Sequence, residues 1–157
     1  MTPLPAMPDL SLQRQAMEKL AFLVGTWRGK ARLWRKDGPL DLIQSEEARY
    51  RLDGLLLLIE GVGCLPQGQP LLQALGILSY DDHARTYRMR AFNDGRFLET
   101  EVDVEERGMR WGFALGDIST RSVLWIDEGG AWNEKTVISM GSDPPKTLLE
   151  LAVSRTA

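Results

Sequence analysis

The chain has 157 residues, enough for one domain that buries about 70% of the surface its unfolded form would expose. A hydrophobic fraction of 43%, a charged fraction of 26% and a net charge of −3 exclude a nucleic-acid-binding footprint and a disordered composition. The lone Cys64, the lack of a signal-peptide pattern at the start and the lack of an apolar run near roughly 18 residues favour a cytoplasmic protein without a membrane span.

The first part of the chain predicts a lead-in followed by one helix. Three prolines disfavour helix within the first ten residues, so we expect an extended segment over 1–10. From Ser11, a possible N-cap, apolar residues recur at helical spacing, which predicts an amphipathic helix that Gly25 stops. Its apolar face is Leu12, Ala16, Leu20 and Leu23.

Beyond the helix, the chain predicts a β-barrel. The apolar period changes from about 3.6 to about 2, and turn residues recur about every ten positions. We expect strands near 25–36, 42–52, 54–65, 71–80, 85–93, 96–105, 109–115, 119–127, 131–140 and 146–155. Exposed sheet edges invite association, so closure is the simplest arrangement. The predicted fold class is all-β, an antiparallel up-and-down barrel of about ten strands, with a helix capping one end of a single domain over 11–157.

The hairpin around Asp94-Gly95 predicts its own register. If these residues form the centre of a type I′ turn, Arg90 lies opposite Glu99 and Tyr87 lies opposite Val102. Charged side chains then share one face and apolar side chains the other, whereas a slip by one residue would mix them.

The hairpins that follow are less well defined. With Arg107-Gly108 at the centre of the next turn, we expect Val104 opposite Trp111. The turn at Gly129-Gly130 permits more than one register, so the pairing over 119–140 stays open.

One motif resembles a known group of barrels. The helix followed by Gly25-x-Trp27-x-Gly29 resembles the start of calycin-like barrels, which include lipocalins and fatty-acid-binding proteins. The chain is most similar to nitrobindin-like and related uncharacterised bacterial barrel families, whose ending is similar to its last third. In this chain that ending is Arg121…Trp125…Trp132-Asn133-Glu134…Ser142-Asp143…Arg155.

The resemblance departs at the haem ligand. Nitrobindin-like haem proteins bind iron through a late histidine, and this sequence has no histidine after His83. His83 itself lies in a polar connection, where we expect a solvated turn residue. Neither haem nor a metal or other cofactor is therefore expected.

The apolar face of three central strands predicts a ligand site. A barrel of about ten strands has room for a cavity, and a mostly apolar lining suits an apolar or amphipathic small molecule. We expect a binding or carrier protein, with a core filled by its own side chains as the alternative. The candidate lining is Tyr87, Met89, Thr100, Trp111 and Phe113.

Four further residues are candidates near this lining. Trp27 is interpreted as a plug of the barrel end, with ligand contact as the alternative, and Arg121 or Arg155 could stack on its ring, partly by the resemblance. The orientation of Glu134 is open; if it points inward, it needs an arginine. It would then be a structural ion pair, an anchor for an anionic ligand, or the acid/base group of an isomerase or hydrolase.

The surface strands suggest a partner. Strands near 54–65 and 71–80 are apolar on both faces, which predicts a homodimer through them; an interaction module for another protein is the alternative. The basic residues of the first strand are expected on a solvated outer face rather than on a phosphate track. They are Arg28, Lys30, Arg32 and Lys36.

Overall fold

Ten antiparallel strands form a closed barrel in the computed structural model, which describes residue 2 and residues 6–156. Helix α1 spans Leu10–Glu18, and a short 3-10 helix spans Ala21–Leu23. The strands are β1 (Gly25–Arg35), β2 (Gly38–Arg51), β3 (Leu56–Cys64), β4 (Pro70–Asp81), β5 (Thr86–Asn93), β6 (Arg96–Glu105), β7 (Gly108–Leu115), β8 (Ile118–Ile126), β9 (Trp132–Met140) and β10 (Lys146–Arg155). Each strand pairs with its neighbours in sequence and β10 closes on β1, so the predicted fold class is confirmed.

The helix begins and ends earlier than predicted. Its N-cap is Asp9, not Ser11, because the Asp9 carboxylate accepts a hydrogen bond from the Leu12 amide at 3.0 Å. The helix ends at Glu18 rather than at Gly25. The predicted lead-in over 1–10 falls partly outside the described residues, and residues 6–9 carry neither helix nor strand. No described helix has the length and apolar character needed to cross a membrane.

Helix α1 covers one end of the barrel, which we call the floor. Its apolar contact is Met17 rather than the predicted Leu12, which is exposed, and Leu20 and Leu23 complete the buried set. Two tyrosines of the barrel wall bind its last turn: the hydroxyl of Tyr50 donates to the Met17 carbonyl at 2.6 Å, and that of Tyr87 to the Ala16 carbonyl at 2.8 Å. The same carbonyls accept hydrogen bonds from the Lys19 and Leu20 amides at 3.3 and 3.0 Å, so the tyrosine hydroxyls use the second acceptor position of each carbonyl and tie the helix to the barrel wall.

The opposite end, which we call the mouth, carries the turns at 36–37, 65–69, 94–95, 116–117 and 141–145. The turn at Asp94-Gly95 has the predicted register, with Arg90 opposite Glu99 and Tyr87 opposite Val102. That prediction is confirmed.

The register of the next hairpin was predicted wrongly. Trp111 lies opposite Val102 rather than Val104, because the turn is at 106–107 and Gly108 is already part of β7. A side chain at Gly108 would place its Cβ 2.8 Å from the Leu124 carbonyl, so the glycine permits close approach of β8 instead of forming the turn. The shift is two residues, so every side chain keeps its predicted face.

The basic residues of β1 lie on the outer face of the barrel, as predicted. Arg28, Lys30 and Arg32 are exposed, and Arg32 donates to Asp41 at 2.7 Å. His83 is exposed in the turn between β4 and β5, and its amide donates to the Asp81 carboxylate at 3.1 Å. The basic residues of β1 and His83 therefore lie on the surface, as expected.

Candidate ligand site inside the barrel

Trp27 seals the floor from within. Its side chain is fully buried, its indole N–H donates to the Leu23 carbonyl at 2.9 Å, and its ring meets Trp132 edge-on at 5.4 Å between centroids. The Arg155 guanidinium stacks over the ring, 4.3 Å from its centroid, and donates to the Phe22 carbonyl at 2.7 Å. The interpretation of Trp27 as a plug and the stacking of Arg155 on it are confirmed.

Arg121 lies on the wrong side of the wall for the predicted roles. Side chains alternate along β8, and Ser122 and Leu124 occupy the buried inner face. Arg121 is exposed on the outer face, so the expectation that it stacks on Trp27 or pairs with Glu134 was wrong.

The five predicted lining residues all lie on the inner face, at different depths. Tyr87 and Met89 lie near the floor, where the Tyr87 hydroxyl binds the helix and Met89 is buried in the core. Thr100 donates to the Gly112 carbonyl at 2.7 Å, which satisfies its hydroxyl. Trp111 and Phe113 are half-buried and pack against the core.

Glu46 is an interior carboxyl that the sequence analysis missed. It lies on β2 between Gln44 and Ala48 on the inner face, and only 6% of it is exposed. The Gln44 amide nitrogen donates to Glu46 Oε1 at 2.9 Å. The alternating pattern from Leu42 to Ala48 could have revealed it, because every second residue of a strand lies on the same face and Glu46 falls on the face of Leu42 and Ala48.

Two glycines of β3 make room for these polar side chains. A Cβ at Gly61 would lie 2.7 Å from both carboxyl oxygens of Glu46, and a Cβ at Gly63 would lie 2.7 Å from Gln44 Oε1. Such distances are closer than van der Waals contact. Glu46 and Gln44 therefore lie flat along the inner surface of β3.

Glu134 is the second interior carboxyl. The pairing of Leu124 with Glu134 and of Ser122 with Thr136 settles the open register and turns Glu134 inward. The residue is half-buried, and it contributes to a groove of about 320 Å³ that is also lined by residues of β1 and β10. The neighbouring Ser122 and Thr136 hydroxyls hydrogen-bond each other at 2.7 Å.

Burial perturbs both carboxyls. Burial and, as a smaller cause, the negative charge of Glu134 raise the pKa of Glu46 to about 8, and the Gln44 hydrogen bond opposes the rise. Burial also raises the pKa of Glu134 to about 7, and the nearby Trp132 indole N–H opposes that rise without forming a hydrogen bond of normal geometry. The two carboxyls therefore hold at least one proton near neutral pH.

The charged neighbour of Glu134 is the carboxyl of Glu46 rather than the arginine that an inward Glu134 was expected to need. Within the ten strands, basic residues occupy inward register positions only at strand ends. They are Arg35, Arg96 and Lys146 at the mouth and Arg155 at the floor. Among the described residues, no group of three or more acidic, histidine or cysteine side chains could hold a metal ion.

Within the described residues, no helix covers the mouth as α1 covers the floor. Leu115, Ile118 and Met140 occupy neighbouring inward positions on β7, β8 and β9, yet they are 59%, 41% and 53% exposed. Apolar side chains on the inner face are thus open to solvent at this end.

These features define a closed ten-stranded antiparallel barrel, sealed by a helix at one end and open at the other, with two interior carboxyls. The crystal structure of Rv2717c from M. tuberculosis is similar, with a TM-score of 0.69 over 90% of this chain and 98% of that chain, at 14% sequence identity. At this identity the likeness concerns the fold. No protein-family model and no curated protein matches the chain.

Proposed function

We propose that the protein binds or carries an apolar or amphipathic small molecule, which enters the barrel through the mouth. The observation that carries this proposal is the exposed inner apolar surface of Leu115, Ile118 and Met140, at the end opposite the plug. Exposed apolar surface in a concave position favours ligand contact. Trp111 and Phe113 continue the inner wall below this rim.

Blocking the mouth tests the proposal. We expect Trp fluorescence titration to detect binding of decan-1-ol to the native protein, and Leu115→Arg to weaken it about tenfold or more, because a charged side chain would replace apolar contact at the entrance. The matched control is Leu52→Arg, since Leu52 is 66% exposed on the floor side. Native mass spectrometry gives a second readout of a retained ligand. Equal losses in both variants, or no binding by the native protein, would contradict entry through the mouth.

The calycin-like affiliation belongs to this proposal. It is supported by the helix that precedes Gly25-x-Trp27 and by the up-and-down order of the strands. Cytoplasmic residence is part of it too, because the free thiol of Cys64 suits a reducing compartment.

The alternative of an isomerase or hydrolase loses its predicted residue set. Glu134 has neither Arg121 nor Arg155 beside it, since the first lies outside the wall and the second binds the floor. The anionic-ligand anchor and the structural ion pair considered for Glu134 fail for the same reason.

The outer wall supports a homodimer through β3 and β4, as a second proposal. Leu75 pairs with Phe92, and Phe92 with Phe97, on the outer face, where the two phenylalanines are exposed and their rings lie 5.3 Å apart. Leu58 and Ile77 are half-buried on the same face. This apolar outer row extends the predicted interface of strands 54–65 and 71–80 onto β5 and β6.

Sedimentation velocity tests the homodimer. We expect a concentration-dependent dimer that Phe97→Glu shifts to monomer, because the change places charge in the apolar outer row. Ile43→Glu is the control, since Ile43 is exposed on the outer face of β2. A native protein that sediments as a monomer at every concentration would exclude this interface.

A further inference from the structure

We propose that the ligand carries a protonated amine, which is bound inside the barrel by an acceptor cluster formed by Gln44, Glu46 and Glu134. This inference rests on the proposed function and adds the chemical class of the ligand. Its apolar part would occupy the wall toward the mouth, and its amine would reach the cluster.

The cluster has unused acceptor capacity. Gln44 is 4% exposed, and its Oε1 accepts no hydrogen bond from any described residue, although its amide nitrogen binds Glu46. The carboxyls of Glu46 and Glu134 receive no ion pair from the described residues; Glu46 is 6% exposed and Glu134 is half-buried. Three acceptors without a cation are complementary to an ammonium group, which has three donors and no acceptor.

The three acceptors approach from two sides of the inner wall. Glu46 and Gln44 lie over Gly61 and Gly63 of β3 rather than across the barrel. Glu134 approaches from β9, which lies two strands beyond β1 in the other direction around the barrel. The acceptors thus belong to different parts of one inner wall.

Other charged ligands fit less well. An anionic group at this depth would meet two carboxyls and no basic side chain of the described residues, and an unpaired buried charge is unfavourable. The basic side chains at the mouth do not favour an anionic ligand either, because an aspartate in each of four mouth turns offsets their positive charge. These are Asp37, Asp94, Asp117 and Asp143. Ca²⁺ and Mg²⁺ take about six oxygen ligands or more, which exceeds what two carboxyls and one amide oxygen supply.

Binding of the amine requires a proton to leave. The ligand enters as R–NH₃⁺, and a protonated carboxyl of the pair releases its proton to the solvent and becomes the carboxylate that pairs with the ammonium. The raised pKa of Glu46 supplies that proton near pH 7 to 8. The other titratable groups facing this region are Glu134 itself, Tyr50 and Tyr87 toward the floor, and Arg155 behind Trp27.

Matched ligands of equal chain length test the inference. Calorimetric titration at pH 8 compares decylamine, decan-1-ol and decanoic acid with the native protein, in two buffers that differ in ionisation enthalpy. We expect decylamine to bind about tenfold more tightly than decan-1-ol and to release up to about one proton, because the ammonium group forms charge-assisted hydrogen bonds that a hydroxyl cannot form.

Three isosteric variants locate the effect. Glu46→Gln and Glu134→Gln should each remove the preference for the amine and keep the binding of decan-1-ol. Glu47→Gln, the outward neighbour of Glu46 on β2, should keep the preference, because Glu47 is exposed and pairs with Arg49 on the surface.

The outcomes separate the two proposals. Equal affinity for amine and alcohol, tighter binding of decanoic acid, or a preference that survives both glutamine variants would overturn the amine site while leaving the proposed function standing. If none of the three ligands binds, the proposed function itself fails.

Discussion

Replacing Trp27 by alanine is expected to lower the free energy of unfolding by about 3 to 5 kcal/mol, the largest effect of any single truncation in the floor. Trp27 is fully buried, and its loss removes the edge-on contact with Trp132, the hydrogen bond to Leu23 and the surface on which Arg155 stacks. The 3-10 helix Ala21–Leu23 lies beside this side chain and accepts its hydrogen bond through Leu23, so the resulting cavity cannot collapse without moving that segment.

Thermal and urea unfolding measure this loss against a matched control. Trp125→Ala removes the same atoms from the outer face of β8, where the side chain is 42% exposed, and should cost clearly less. For a domain of this length, the Trp27 variant should melt on the order of 10 °C lower than the native protein. Equal losses in the two variants would mean that Trp27 is not the plug of the barrel.

The sequence predicted the barrel because the evidence for it is local. Alternation of side chains and turn chemistry around Asp94-Gly95 depend on neighbouring residues, so strand number, strand bounds and one register could be read directly. The register of the next hairpin was predicted wrongly because Gly108 was placed in the turn. In the structure this glycine allows β8 to approach closely, and a contact with β8 cannot be inferred from the sequence of the β6–β7 hairpin alone.

The interior charges were harder to predict for a physical reason. Glu46 lies in the alternation of β2 on the same face as its apolar residues. A buried carboxyl is nevertheless costly, so the residue type alone predicts that Glu46 is on the surface. Its position over β3 depends on Gly61 in another strand, and its raised pKa depends in part on Glu134 of β9. Only the closed topology brings these three residues together.

The two interior carboxyls should make the protein less stable as the pH rises. Their folded pKa values of about 8 for Glu46 and about 7 for Glu134 lie above the value of 4.5 typical of a free glutamate. The folded state therefore binds more protons than the unfolded state between about pH 4.5 and pH 8, and linkage makes the stability fall across that window. Below it both states are protonated, so the contribution to stability is fully present there.

Acidic surface groups act in a different window and do not obscure this effect. Hydrogen bonds lower the pKa of Asp81, Asp82 and Asp127 below the usual value of 3.8. A lowered pKa stabilises the folded state above 3.8, and that contribution is lost as the pH falls further. The two windows are separated by the unfolded pKa values of aspartate and glutamate.

Glu46→Gln is expected to be more stable than the native protein at pH 9, by an amount on the order of a few kcal/mol, and to differ little from it at pH 4.5. The amide keeps the size of the side chain over Gly61 and removes the charge that burial penalises. Glu134→Gln should act in the same direction, because it also removes one of the causes that raise the pKa of Glu46. Urea unfolding at a series of pH values measures the slopes, with Glu47→Gln as the control that should follow the native curve. Parallel curves of stability against pH for all four proteins would mean that the interior carboxyls are ionised without a free-energy penalty. The proposed amine site, which needs a proton to be released from these carboxyls, would then lose its physical basis.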